Sequence, residues 1–190
     1  MSNRSIRNAR SVAAIIIASA SCLITVGLQA SPAAAIASSA TAYVVQNQDG
    51  SVTPIDTGTN TAGTAINTGL GGSPYAVAVT PDGKTAYVVN NTLDTVTPVD
   101  TQTNTAGTAI AVGHLPVAIA ISPDGQTAYV VNEGADSITP IATATNIAGT
   151  AFPVTGSMSS ALYGIAITPD GNTAYVSSAS QGEVFPITLA

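Results

Sequence analysis

An all-β fold made of repeated four-stranded antiparallel units is what the sequence predicts, on three observations. A stretch of about 44 residues recurs about three and a half times, with Tyr43, Tyr87, Tyr129 and Tyr175 each opening a Tyr-Val segment. Repetition at that period marks an architecture of stacked supersecondary units. The spacing inside the copies is rigid: nine residues after each Tyr stand Val52, Val96, Ile138 and Val184, and eleven after the first three of these stand Gly63, Gly107 and Gly149. Finally, apolar segments of about five residues, β-branched or alternating, are bounded by Gly, Pro, Asn and Asp, and no window after residue 35 carries a helical period of useful length.

Ahead of the repeats, Arg4, Arg7 and Arg10 precede the apolar run Val12 to Leu28, and Ser31-Pro32-Ala33-Ala34-Ala35 supplies small residues suited to cleavage. Residues 1–35 are therefore expected to be a bacterial secretory signal peptide, which sends the chain outside the cell or to its surface. The run is broken by Ser19, Ser21 and Thr25 and is short for a span, which argues against a retained anchor. Cys22, the only cysteine, has Ser19 three residues before it where a lipobox wants Leu, and reads as apolar filler. Cleavage after Ala35 would leave 155 residues with Lys84 as the single Lys or Arg against ten acids, a formal charge of about −9. One cation cannot build the basic surface that nucleic-acid binding needs, nor hold an anionic membrane surface. Without a cysteine the mature chain has neither a disulfide framework nor a Cys-ligated metal.

Residues 36–190 are expected to form one repeat domain, with units at about 41–73, 74–115, 116–161 and 162–190. The 116–161 unit shows the elements in order. Pro116 to Ser122 alternates Ala with Val or Ile, as a first strand with one face of small side chains; such a face suits the crowded inner strand near a propeller axis. Pro123-Asp124-Gly125 has the residues of a tight turn. Thr127 to Asn132 is the second strand, Ser137 to Ile141 the third, and Ala148 to Phe152 the outer one. Short strands joined by short turns must be antiparallel neighbours. Pro54, Pro98, Pro140 and Pro186 recur inside the third strand, where proline cannot donate to a ladder. Either that strand is bulged or the outer strand pairs with it in part, and the proline also blunts a sticky edge.

The units are blades of a β-propeller-type fold, but the count is short. After residue 35 the chain starts at a second strand and ends after a third, giving units of three, four, four and three strands. The first unit lacks an inner strand and the last an outer one, so the ring is incomplete or open, because propellers use about four to eight blades. The chain is then a truncated member of a longer family, an open blade stack, or a subunit completed by association. A homo-oligomer of two chains would supply eight partial or whole blades.

Antiparallel connectivity sorts the loops onto two rims. One carries the Pro-Asp-Gly turns at Asp82, Asp124 and Asp170 and the matched Asp56-Thr-Gly-Thr-Asn60 and Asp100-Thr-Gln-Thr-Asn104, all explained by turn chemistry. The other carries the connections of variable length, with Asp49, Asp94, His114, Glu133 and Asp136, and binding residues commonly ride on variable loops over a rigid scaffold. Those five are the candidate ligand-rim residues. The acids lack EF-hand spacing, and His114, the only histidine, has no partner implied by spacing, so no catalytic residue, metal or cofactor is assigned. Asn90-Asn91-Thr92 matches a glycosylation sequon but also ordinary turn chemistry. The recurring tyrosines, all at one place in the second strand, read as packing between units.

At Tyr87-Val-Val-Asn90, at Pro116 to Gly125 and at Ser137-Ile-Thr-Pro-Ile141 the sequence resembles the YVTN-type β-propeller repeats of secreted bacterial and archaeal proteins, over Thr41 to about Ile187. The resemblance implies a propeller of surface-layer kind, more distantly similar to lactonase-like and haem-d1-carrying propellers, whose chemistry comes from residues outside the repeat consensus. This chain departs from the family by stopping short of a full ring and by lacking the His and acidic clusters of those enzymes. The expected function is a secreted or cell-surface binding and scaffold module that takes a protein or glycan ligand. The rival is a lactonase-like or metal-assisted hydrolase, which requires acids such as Glu133 and Asp136 to meet in a closed channel. A third reading is a truncated propeller without independent function.

Overall fold

The computed structural model describes residues 12–14, 40–69, 71–154, 161–180 and 182–189. Of the expected leader, Arg4, Arg7, Arg10, Cys22 and the small-residue segment up to Ala35 lie outside the described residues. The first sheet holds β1 (Val12–Ala14), β2 (Thr41–Gln46), β3 (Ser51–Asp56), β4 (Thr61–Ala62) and β5 (Ile66–Asn67). The second holds β6 (Pro74–Val79), β7 (Thr85–Asn90), β8 (Thr95–Asp100), β9 (Thr105–Ala106) and β10 (Ile110–Ala111). The third holds β11 (Pro116–Ile121), β12 (Thr127–Asn132), β13 (Ser137–Ala142), β14 (Ile147–Ala148) and β15 (Phe152–Pro153), and the fourth β16 (Leu162–Ile167), β17 (Thr173–Ser178) and β18 (Val184–Thr188). The only helical pieces among the described residues are two 3-10 turns, Asn91–Leu93 and Glu133–Ala135.

The outer strand differs from a single run of five residues. In each of the first three sheets it is two short pieces, both paired with the third strand and separated by a gap. The recurring proline is the reason. Pro54, Pro98 and Pro140 each accept a hydrogen bond from Gly63, Gly107 or Gly149 at 2.7 Å, so the proline carbonyl faces outward. In a strand the N–H and C=O of one residue point to the same neighbour, so the missing N–H also faces outward, into the gap. The inner ladder is therefore untouched, and Tyr43, Tyr87 and Tyr129 pair across it with Pro54, Pro98 and Pro140. The glycine lies so close over the proline ring that a Cβ at Gly107 would meet Pro98 Cγ at 3.2 Å.

The core lies between sheets and is written three times. Tyr43, Val45, Val52 and Ile66 of the first sheet pack on Val77, Ala86, Val88 and Val99 of the second. Tyr87, Val89, Val96 and Ile110 pack in the same way on Ile119, Ala128, Val130 and Ile141. Tyr129, Val131, Ile138 and Val154 pack on Ala174, Val176 and Leu189, with Ile165 and Ile187 beside them. Inner strand β6 sets small residues against branched ones of β11, Ala76 and Ala78 against Ile119 and Ile121, as the taper toward an axis demands. The first two joints between sheets also have a polar clasp. Tyr43 Oη donates to Asn104 Oδ1 at 2.9 Å, and Tyr87 Oη to Asn146 Oδ1 at 2.6 Å. Asn60, Asn104 and Asn146 all take left-handed backbone in the same turn, with φ between 54° and 57°, which asparagine tolerates.

The inner position of the first sheet, expected to be empty, is taken by β1, which pairs with β2 in parallel where β6, β11 and β16 run antiparallel to their partners. An uncovered inner edge on β2 is a template for any extended segment, which accounts for the occupancy.

Candidate functional site

The two rims differ in how their polar groups are used. On the Pro-Asp-Gly rim the carboxylates close their own turns: Asp82 Oδ1 accepts Thr80 Oγ1 at 2.6 Å and the Lys84 amide at 3.1 Å. Asp124 does the same with Ser122 and the Gln126 amide, and Asp170 with Thr168 and the Asn172 amide. These hydroxyl bonds first, and the amides after them, hold all three carboxyls below the usual carboxylate range. Thr101 and Thr143 then tie the outer turns to Gly83 and Gly125 at 2.5 and 2.6 Å. A furrow of about 520 Å³ runs here between Asp82 and Asp124, but its acids are already engaged.

On the opposite rim, each turn between second and third strands ends in left-handed backbone, at Gly50, Asp94, Asp136 and Gly182 with φ of 64°, 54°, 44° and 65°. Asp94 and Asp136 thus stand where a turn needs glycine or a short polar residue. The unit alignment carried that signal, because all four stand two residues before Val52, Val96, Ile138 and Val184. Asp94 does more. Its Oδ1 accepts the Leu115 amide at 2.8 Å, and its Oδ2 lies 3.0 Å from His114 Nδ1. The His114 bond, with the Leu115 amide behind it, holds the Asp94 carboxyl below its usual range. Side-chain exposures of 63% for His114 and 41% for Asp94 leave the pair screened by water and open to a ligand.

Glu133 joins this pair through the backbone. Its amide donates to Leu115 O at 2.9 Å and that of Gly134 to His114 O at 3.0 Å, while a Cβ at Gly134 would strike His114 Cδ2 at 2.6 Å. The start of the same connection is tied to the preceding unit, Val112 donating to Asp94 O at 2.9 Å. The loop that presents His114 is thus stapled to two successive units. The structure brings together Asp94, His114 and Glu133. Asp49 sits in the equivalent turn of the first unit, and Asp136 closes the Glu133 turn with a buried Oδ1 that has no partner among the described residues. Among the described residues no three of His, Cys, Asp and Glu are grouped so as to share a metal ion.

Sequence reasoning missed the buried polar residue three after Tyr87, Tyr129 and Tyr175. Asn90 and Asn132 are fully buried. Asn90 Nδ2 donates to Thr68 O at 3.2 Å and Thr97 Oγ1 at 3.0 Å, and Thr68 Oγ1 returns a bond to its Oδ1. Asn132 Nδ2 reaches Ser137 and Thr139, but Val112 stands where Thr68 stood, and the Asn132 Oδ1 has no partner among the described residues. The sequon asparagine is consequently out of reach of any modifying enzyme while the unit is folded.

No family model matches the sequence, and no curated protein matches it. Among solved structures, hydrazine synthase from Kuenenia stuttgartiensis is similar at 28% identity and a TM-score of 0.65, over 77% of this chain and 46% of its own. A functionally unknown protein from Desulfotomaculum acetoxidans DSM 771 is similar at 20% identity and a TM-score of 0.67, over 77% and 46%. A catalytically inactive virginiamycin B lyase from Staphylococcus aureus with quinupristin is similar at 18% identity and a TM-score of 0.65, over 78% and 48%. The chain spans about half the length of these solved structures. Sheets of this connectivity, stacked in this way and similar to β-propeller proteins, are the blades of an open β-propeller-type fold.

Proposed function

We propose that the protein is a secreted or cell-surface module, of YVTN-repeat type, that binds a protein or glycan through the rim carrying Asp94, His114 and Glu133. The observation that carries this reading is the contrast between the rims. One spends its carboxylates on its own turns, whereas the other holds an exposed Asp94–His114 pair on a loop clamped to two units. A stiff mount for exposed polar groups is what a recognition surface needs, since little ordering is lost on binding. The acidic balance after residue 35 supports a cationic or polyhydroxyl partner rather than a polyanion. The test is binding of the purified protein to a glycan array and to the surface fractions of the producing cell, beside the triple variant Asp94→Asn, His114→Ala, Glu133→Gln. Binding that weakens at least tenfold in the triple variant, with circular dichroism unchanged, is the expected result. Equal binding by both proteins, or by neither, refutes the rim.

A further inference from the structure

We infer that the Asp49–Gly50 link is a self-modification site, where the chain converts aspartate to isoaspartate through a succinimide while the fold holds its other Asp-Gly links inert. This is so whether or not the rim takes a ligand.

Aspartate followed by glycine suits this rearrangement, because glycine has no side chain to hinder the attacking amide. The glycine nitrogen attacks Cγ of the aspartate in its neutral carboxylic acid form. The N–H proton and the carboxyl hydroxyl leave together as water, and a cyclic succinimide remains. Water then adds back. Opening at the side-chain carbonyl restores aspartate, whereas opening at the main-chain carbonyl leaves the backbone running through Cγ and the carboxylate on Cα. No oxidant, reductant or cofactor enters, so the rate depends on whether nitrogen and Cγ are free to meet.

The chain holds four such links, Asp49–Gly50, Asp82–Gly83, Asp124–Gly125 and Asp170–Gly171. In the last three both reacting groups are engaged elsewhere. The Gly83, Gly125 and Gly171 amides donate at 2.8 Å to the carbonyls of Thr80, Ser122 and Thr168. Each carboxylate accepts the hydroxyl of that same residue and the amide two residues further on. Those bonds lower the carboxyl pKa and so keep the neutral acid scarce.

Asp49–Gly50 belongs to a turn that closes one residue earlier. The amide that returns to Gln46 O, at 3.2 Å, is that of Asp49 itself, which leaves the Gly50 amide outside the turn's hydrogen bond. Among the described residues neither the Gly50 amide nor the Asp49 carboxylate has a hydrogen-bond partner, and Asp49 is exposed. Nucleophile and electrophile are therefore both free here and nowhere else among the four.

The product alters a crowded spot. Gly50 has φ of 64°, its carbonyl accepts the Thr68 amide at 3.0 Å, and an added Cβ would strike Gly69 O at 2.5 Å. One more backbone carbon between Asp49 and Gly50 breaks that fit. Isoaspartate thus loosens the turn from the outer strand β5 and shifts a carboxylate on the rim.

The test is peptide mapping of the full chain after weeks of warm incubation at neutral pH, with electron-transfer mass spectrometry to tell isoaspartate from aspartate. Isoaspartate at Asp49 is expected to build up on the order of tenfold or more faster than at Asp82, Asp124 and Asp170, where two hydrogen bonds must break first. The same chain aged in guanidinium chloride should form it at all four links at similar rates, which assigns the preference to the fold. Thr80→Ala frees the Asp82 carboxylate and should raise isoaspartate there several-fold. Asp49→Glu, whose ring would be larger, should abolish the reaction at that link and spare the aged protein its fall in urea midpoint. Equal rates at the four links of the folded protein, no isoaspartate at Asp49, or the same preference for Asp49 in denaturant would each overturn the proposal.

Discussion

Tyr87 and Asn146 make the joint between the second and third units measurable at the level of single atoms. The tyrosine ring is fully buried, its hydroxyl donates to Asn146 Oδ1 at 2.6 Å and lies 3.3 Å from Thr143 O, and burial pushes the phenol pKa up. A hydroxyl so placed contributes about 0.5 to 1.5 kcal/mol to stability. Tyr87→Phe should lower stability by that amount with no change in fold. Asn146→Gly keeps the left-handed turn, because glycine takes φ of 57° without strain, and removes only the acceptor. Urea unfolding of both single variants and the double should therefore show losses that do not add, since either change removes the same bond. Additive losses would mean that the clasp carries no energy. The tyrosines were legible in sequence as packing residues, because four of them recur in one register. Their asparagine partners were not, because those lie about 60 residues further on in a turn whose Asn has a sufficient local explanation.

At the scale of the strand, the proline and glycine of the outer pair are one device. Gly107 donates its amide to Pro98 O at 2.7 Å, and its Cα rests over the proline ring with 3.2 Å left for any Cβ. Pro98 is buried between β7 and the gap in the outer strand, so it has little room to yield. Gly107→Ala is expected to destabilise by about 1 to 3 kcal/mol through overpacking. Combining it with Pro98→Ala should recover part of that loss, as read by the midpoint of urea unfolding. An unchanged midpoint in the single variant would show that the outer strand shifts freely. The sequence displayed both residues at fixed spacing and predicted partial pairing of the outer strand as one of two outcomes. It could not choose between them, since the choice depends on which side of the strand the missing N–H faces. The candidate rim was legible to a similar depth. Variable length located the loop, but the turn role of Asp94 and Asp136 depends on backbone hand, and only a comparison of units at one position reveals it.

For the whole molecule, stacked units that contact only their neighbours make stability a sum of local terms and joints, so that opening starts at the least covered end. In the second and third units both faces are covered, and Val88, Val89, Val130 and Val131 are fully buried. In the fourth, β17 shows Tyr175 to solvent, and β18 is the last strand of its sheet, with Pro186 exposed where Pro54 and Pro98 are covered. Amide hydrogen exchange followed by mass spectrometry should thus be slowest in β7 and β12 and fastest, among the strands, in β17 and β18. Uniform exchange in all four units would mean that the stack opens as one cooperative body, and would remove the basis for treating its joints as separate.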